Sequence, residues 1–264
     1  MATTIEWTQE NWNPTTGCKH YSKWGECDNC YAETITNIRK NSPKFTKYRA
    51  GFDTLVMHDY TLKEPYGWSK PVTVFVNSMS DLFHKDVKLE FLKKVFAVMN
   101  DTPQHTYQIL TKRDKILEDY SDKLNWTDNI WMGVSVGAQG ATKRIPRLQN
   151  CGAKHKFLSV EPFIEEINDI DLTGIDWVIV GGESGGGARP IQAEWVHKMK
   201  CFCEDASVPF FFKQWGKKKY NPNPNDPTKH KLHRYHAKGG SQLDGITYWA
   251  NPTIEDDSMP TLNL

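Results

Sequence analysis

The chain has 264 residues, 38% hydrophobic and 25% charged, enough for a continuous core in one large domain or two small ones. No run of about eighteen apolar residues occurs, which excludes a helical membrane span, and a net charge of +1 excludes bulk attraction to nucleic acid. The opening "MATTIEWTQE" has neither a basic start nor an apolar stretch, which predicts a cytoplasmic protein, and six cysteines are too few for a disulfide scaffold.

The first unusual stretch is "WNPTTGCKHYSKWGECDNCYAET", Trp12 to Thr34, which holds Cys18, Cys27 and Cys30 in a C-x8-C-x2-C pattern followed by Tyr31. Clustered thiols in a reducing compartment point to metal ligation or catalysis, and a C-x2-C pair brings two sulfurs to one centre. Three readings stay open: free cysteines in a loop, structural zinc completed by His20, His58 or His84, or an iron–sulfur cluster. Zinc wants four closed ligands. A cluster held by three thiolates leaves one iron open to a small molecule.

Short apolar runs follow, each ending in polar or glycine residues: "VTVFVNSMSD" from Val72, "TYQILTKRD" from Thr106, "NIWMGVSVG" from Asn129, "KFLSVEPF" from Lys156, "DWVIVGGESGG" from Asp176 and "VPFFFKQWG" from Val208. Their β-branched and aromatic character predicts strands buried on both faces. Between them, "KLEFLKKVFAVMND" from Lys88 places Leu89, Leu92, Val95, Phe96 and Met99 on one helical face, and "QAEWVHKMKCFCEDA" from Gln192 does the same with Trp195, Met199 and Phe202. Cys201 and Cys203 in the latter read as packing residues. Strand alternating with helix predicts an α/β fold with a parallel sheet. A partial or complete β/α (TIM-like) barrel is favoured over a doubly wound sheet, because it focuses all the strand ends on one mouth. Those ends carry Ser78 and Asp81, Lys112 and Arg113, Ser135, Glu161, Glu183, and Lys213 with Gln214.

After Trp215 the chain becomes basic and rich in Pro and Asn, which predicts a barrel over residues 1–216 and an irregular C-terminal arm over 217–264 packed on it. Asp244-Gly245 signals a hairpin within the arm. Lys217 to Lys219, with Tyr220, Tyr235 and Trp249 for stacking, would suit a phosphate backbone, although such runs are more often solvated. His230, His233 and His236 read as surface residues.

Several motifs together, "WNPTTGC", "CDNCYAE", "FVNSMSDLFH", "LTKR", "MGVSVG", "LSVEPF", "VGGESGGGARP", "FFKQWG" and "LDG", resemble the phage-type three-cysteine-motif proteins. That family in turn resembles the radical S-adenosylmethionine superfamily and is distantly similar to spore photoproduct lyase. The superfamily's usual spacing is C-x3-C-x2-C, so the longer first gap is a departure. The resemblance implies that Cys18, Cys27 and Cys30 hold a [4Fe-4S] cluster, that S-adenosylmethionine chelates the fourth iron, and that reduction by a donor such as a flavodoxin or ferredoxin yields a 5′-deoxyadenosyl radical. By position it places Ser78 and Asp81 at the methionine end, while Tyr31, Lys112, Ser135, Glu161 and Glu183 stand at the same mouth as candidate cofactor contacts, Glu183 towards the ribose or the substrate. The substrate stays open, with a nucleic acid or nucleotide suggested by the kinship and the basic arm.

Lys213, Gln214 and Glu183 are the candidates for catalysis, and Cys151 would donate hydrogen only if it reached the mouth. Each has a plainer reading: Lys112, Arg113, Lys213 and Glu161 as a structural ion-pair ring, and Glu183 as a cap on the next helix. The competing function is a non-enzymatic nucleic-acid-binding protein with a Cys3His zinc site.

Overall fold

The apolar runs form strands because alternate side chains are covered on opposite faces. In "TVFV", Val74 and Val76 enter one buried cluster and Phe75 another. The structure, a computed structural model, describes residues 7–231, 233 and 236–252. In chain order its elements are β1 (Glu10–Trp12), β2 (Thr15–Thr16), α1 (Tyr31–Arg39), β3 (Val56–Met57), β4 (Thr73–Val76), α2 (Leu89–Asp101), β5 (Thr106–Thr111), α3 (Asp114–Ser121), β6 (Ile130–Ser135), α4 (Ile145–Gln149), β7 (His155–Val160), β8 (Trp177–Gly181), α5 (Ala193–Asp205), β9 (Phe210–Gln214), β10 (Gln242–Leu243) and β11 (Ile246–Thr247).

Seven strands make one parallel sheet in the order β1-β4-β5-β6-β7-β8-β9. Spatial order follows chain order without reversal, so no topological switch point arises and the sheet curls into a half-barrel. The helices lie on its outer face. There Leu92, Val95, Phe96 and Met99 of α2, Leu117 of α3, Leu148 of α4 and Val196 and Met199 of α5 cover the outward strand residues. Cys203 packs in this layer, as expected, whereas Cys201 on the same helix is exposed to solvent. Cys151 is buried in the same outer layer just beyond α4, so it does not reach the mouth.

The inner face is a separate cluster of Trp7, Phe75, Trp131, Phe157, Trp177, Ile179 and Phe211. Gly133 makes room for it, since a Cβ there would meet the Phe157 ring at 2.5 Å. Rings meet edge to face, as in Trp131–Trp177 at 6.4 Å and Trp177–Phe211 at 5.7 Å. Each such pair contributes about 0.5–1.5 kcal/mol beyond burial. Trp249 from the arm closes the layer, stacked on Phe211 at 5.7 Å with its indole N–H donated to the Phe212 carbonyl. Its ring is therefore committed to the barrel, which corrects its expected availability for stacking on a ligand.

The arm docks through backbone contacts, with Phe212 N–H to the Tyr248 carbonyl and Trp215 N–H to the Gly240 carbonyl. Asp226 orders it internally by accepting from Thr228 N–H, the Asn221 amide and Gln242 N–H. The hairpin β10–β11 forms as expected, with Asp244 at φ 52 and Gly245 at φ 79 supplying the left-handed turn. Tyr235 falls outside the described residues. Among the described residues, no helix is long and apolar enough to cross a membrane.

Buried thiols give the fold an alkaline weakness. Burial pushes Cys203 up to about 12 from an ordinary value of 9.0, so the folded protein keeps this proton after the unfolded chain has lost it. Stability falls as pH rises from about 9 towards the folded value. Urea unfolding at pH 8, 9, 10 and 11 measures this, and Cys203→Ala should show a shallower decline than the parent.

Candidate functional site

The three cysteines lie on the loop that leaves β2 and enters α1 at the carboxyl ends of the sheet strands. Gly17 begins it at φ 83, where a Cβ would overlap the Thr54 carbonyl, and Cys18 N–H donates to the Phe52 carbonyl at 2.7 Å. Cys18 and Cys30 pack on one small cluster of Ala32, Tyr48, Phe52 and Met79. Cys27 lies within electrostatic range of both of the other thiols. Burial, with Asp81 nearby, pushes the Cys18 thiol up to about 11, against the pull of Arg113. Burial also raises Cys30, opposed in part by local backbone N–H groups and by Lys112. A metal bound here would have to displace protons that the bare protein retains at neutral pH.

The eight residues between Cys18 and Cys27 form an anchored loop. Glu26, immediately before Cys27, pairs with Arg144 at 2.8 Å, and both side chains are essentially excluded from solvent. Glu26 also accepts Gly137 N–H at 2.8 Å, while Arg144 donates to the Ser135 carbonyl and to Ser22. Trp24 lies over the Arg144 guanidinium at 4.9 Å and against Gly140, where a Cβ would collide with the indole. Arg189 grips the chain on both sides of Cys27, donating to the Gly25 carbonyl at 2.7 Å and pairing with Asp28 at 3.3 Å. Asn29 donates to Glu183 at 2.9 Å and to the Gly187 carbonyl at 3.1 Å. The motif "GGESGGGARP" is thus a clamp on the cysteine loop. A third tie comes from Arg113, which donates to the Lys19 carbonyl at 3.0 Å, reaches Cys18 Sγ at 3.8 Å and lies 4.6 Å from the Tyr21 ring centre.

The strand-end residues divide into two groups. Asp81 accepts from Thr111 Oγ1 at 2.7 Å, Phe83 N–H at 2.9 Å and Lys112 N–H at 3.2 Å, so its carboxylate joins the ends of β4 and β5. Glu183 is held by Arg189, at 2.6 Å, and by Asn29, and although burial opposes it these bonds lower its pKa. Gln214 is buried, donating weakly to the Gly182 carbonyl at 3.4 Å. These three hold backbone together.

The second group faces the inner side of the sheet. Lys112 Nζ donates to Ser135 Oγ at 3.1 Å, and Lys213 pairs with Glu161 at 3.0 Å. Gly181 leaves space for Glu161, whose carboxylate occupies the volume a Cβ would need. Ser159 stands level with Ser135 on the neighbouring strand, almost fully buried and with no partner for its hydroxyl. Tyr31 donates its hydroxyl to the Ser78 carbonyl, and the charges of Cys30 and Glu161 both act on it. Ser78 Oγ is bonded to Asn13 at 3.3 Å. Sequence reasoning missed Ser159, Glu26 and Asn29. Only the position of Ser159 two residues before Glu161 on the same strand offered a signal for it.

Among the described residues, no three His, Cys, Asp or Glu side chains gather closely enough to form a metal-holding group. The histidines considered as a fourth zinc ligand are engaged elsewhere: His20 with Glu33 at 3.0 Å, His58 with Thr16 at 2.8 Å, and His84 beside Asp86. Two surface cavities, of about 520 and 310 Å³, are lined by other residues, one by segments 170–175 and 202–208 and one by segments 46–60. Comparison with curated proteins and with solved structures finds no match to this chain. A family model does match, over residues 2–252, which takes in the cysteine loop, every strand of the half-barrel and the docked arm; the chain belongs to the family described as protein of unknown function DUF5131.

Proposed function

We propose that the chain is a radical S-adenosylmethionine enzyme, with Cys18, Cys27 and Cys30 as the thiolate ligands of a [4Fe-4S] cluster. The observation that carries this reading is a clamped loop over the carboxyl ends of a sequentially ordered parallel sheet that bears three thiols, while among the described residues the histidines considered as a fourth ligand bond elsewhere. A donor set of three thiolates suits a cluster that keeps one iron open, and it suits structural zinc poorly. When bound, the cluster and S-adenosylmethionine, reduced by a donor such as a flavodoxin or ferredoxin, would supply a 5′-deoxyadenosyl radical.

The chain's own residues bind and orient. Lys112, whose charge reaches Cys30, is assigned to the cofactor carboxylate, with the Ser135 and Ser159 hydroxyls beside it. Glu161 is assigned to ribose hydroxyls, held in place by Lys213. The buried Ser159 hydroxyl supports this, because an unpaired buried polar group is costly until a ligand satisfies it. Asp81, Glu183 and Arg189 act as positioning residues that fix the strand ends and the loop.

Anaerobic reconstitution with iron and sulfide tests the reading. The expected result is a brown protein with about four irons per chain, bleached by dithionite and forming 5′-deoxyadenosine from S-adenosylmethionine. A colourless protein that binds one zinc tightly and loosens on chelation overturns it in favour of a zinc-stabilised binding protein.

A further inference from the structure

We infer that the surface formed by residues 39–60 binds the backbone of single-stranded nucleic acid, with Tyr60 stacking on a base, and so feeds a polynucleotide to the neighbouring cysteine loop. The inference deepens the proposed function and rests on it only for that last step. The stretch "RKNSPKFTKYR" carries Arg39, Lys40, Lys44, Lys47 and Arg49, and no carboxylate occurs between Glu33 and Asp53. Since the whole chain carries only +1, the rest of the molecule is net negative and this segment is a local positive field.

None of the five forms an ion pair among the described residues, a state shared by other surface lysines such as Lys63, Lys85 and Lys93; what sets the segment apart is that five cations stand together within eleven residues. Arg39 lies over the rings of Phe45 and Tyr48, Lys47 lies beside Tyr48, and Lys40 bonds only Asn37. Lys40, Lys44 and Arg49 are exposed. The nearby carboxylates offset them only in part: exposed Asp53 subtracts one charge from the five, Asp59 is taken by Lys94, and Glu64 acts on Lys47 from beyond pairing distance. Unpaired cations on a rigid support are what a phosphate chain with condensed counterions exchanges for.

A second observation gives the charge a shape. The cavity of about 310 Å³ is walled by Lys47, Arg49, Val56, His58 and Tyr60. Tyr60 is 63% exposed and braced edge-on by the His58 ring at 5.5 Å. An exposed ring beside two cations is the element on which single-strand binding sites stack a base. The same segment turns Tyr48 and Phe52 inward onto the cluster that holds Cys18 and Cys30, so the surface adjoins the cysteine loop directly.

Fluorescence anisotropy of the full chain with a labelled 20-nucleotide single strand, titrated over a range of salt concentrations, tests this. Binding is expected, and its log–log salt slope should become shallower by about 0.7 for each phosphate no longer neutralised, so by roughly 1.4 in Lys44→Ala/Arg49→Ala. Tyr60→Ala should weaken binding about tenfold or more while leaving the slope unchanged. Cys27→Ser should bind as the parent does, which separates this surface from the cluster chemistry.

The proposal is overturned if no binding appears at low salt, or if the double variant keeps the parent's slope. Transfer of that slope change to Lys217→Ala/Lys218→Ala/Lys219→Ala would assign the phosphate backbone to the arm instead. Equal binding of the matching duplex, or full competition by inorganic polyphosphate with no effect of Tyr60→Ala, would show charge attraction without a base site and overturn the single-strand assignment.

Discussion

Arg144→Ala lowers the unfolding free energy by about 3–5 kcal/mol, because it strands the Glu26 carboxylate in a place water does not reach. Against a total stability of order 5–15 kcal/mol for a domain, that is a large fraction, and the melting temperature should fall by roughly 10 °C. Urea and thermal melts give the value. The double variant Glu26→Gln/Arg144→Met removes both charges and should recover most of the loss, as expected where the cost lies in an uncompensated charge. A local readout accompanies the global one. Glu26 precedes Cys27, so alkylation of Cys27 in native protein should quicken in Arg144→Ala and return towards the parent rate in the double variant. Equal losses in the single and double variants would place the energy in the packing of Trp24 on the guanidinium instead.

Cys27→Ser carries the largest expected functional effect. Under the proposed chemistry it reduces iron from about four per chain to below about one and abolishes 5′-deoxyadenosine formation, with the half-barrel still folded by circular dichroism and melting. The fold tolerates the change because Cys27 lies outside the buried cores of the sheet, and its neighbours Glu26, Asp28 and Asn29 supply the anchors. A zinc-stabilised loop behaves differently, since loss of one ligand would release binding energy that was folding energy. Loosening of the loop, seen as faster hydrogen exchange over residues 18–30 with little iron ever bound, would therefore sink the cluster assignment.

How far the sequence could be read depends on the range of the interaction. The six apolar runs form strands near their expected positions because burial on two faces is written into contiguous residues. The helices from Lys88 and Gln192 are equally legible from their apolar stripes, whereas α1, α3 and α4 are too short for a stripe to repeat over several turns. The polar strand ends can be located as a group, but their division into holders and inward-facing residues cannot. Asp81 and Gln214 look like Ser135 and Glu161 in a one-dimensional pattern, and only their partners tell them apart. The Glu26–Arg144 pair spans 118 residues and gives no local signal at all. The basic arm stands out as a candidate for binding nucleic acid because its charges cluster in sequence. The segment 39–49 is as dense, and its unpaired state becomes visible only once every other partner is placed.

The anchoring of the cysteine loop also fixes when it can form during synthesis. Gly17 must meet residue 54, Glu26 must meet Arg144, and Gly25 must meet Arg189, 164 residues further along. A chain growing towards its C-terminus exposes the three thiols well before their last anchor, at about 5–20 residues per second. For some ten seconds or more at those rates the nascent thiols are unconstrained and open to oxidation or stray metal. The loop is thus synthesised long before its last anchor, and it takes its final shape only once the sheet is largely complete.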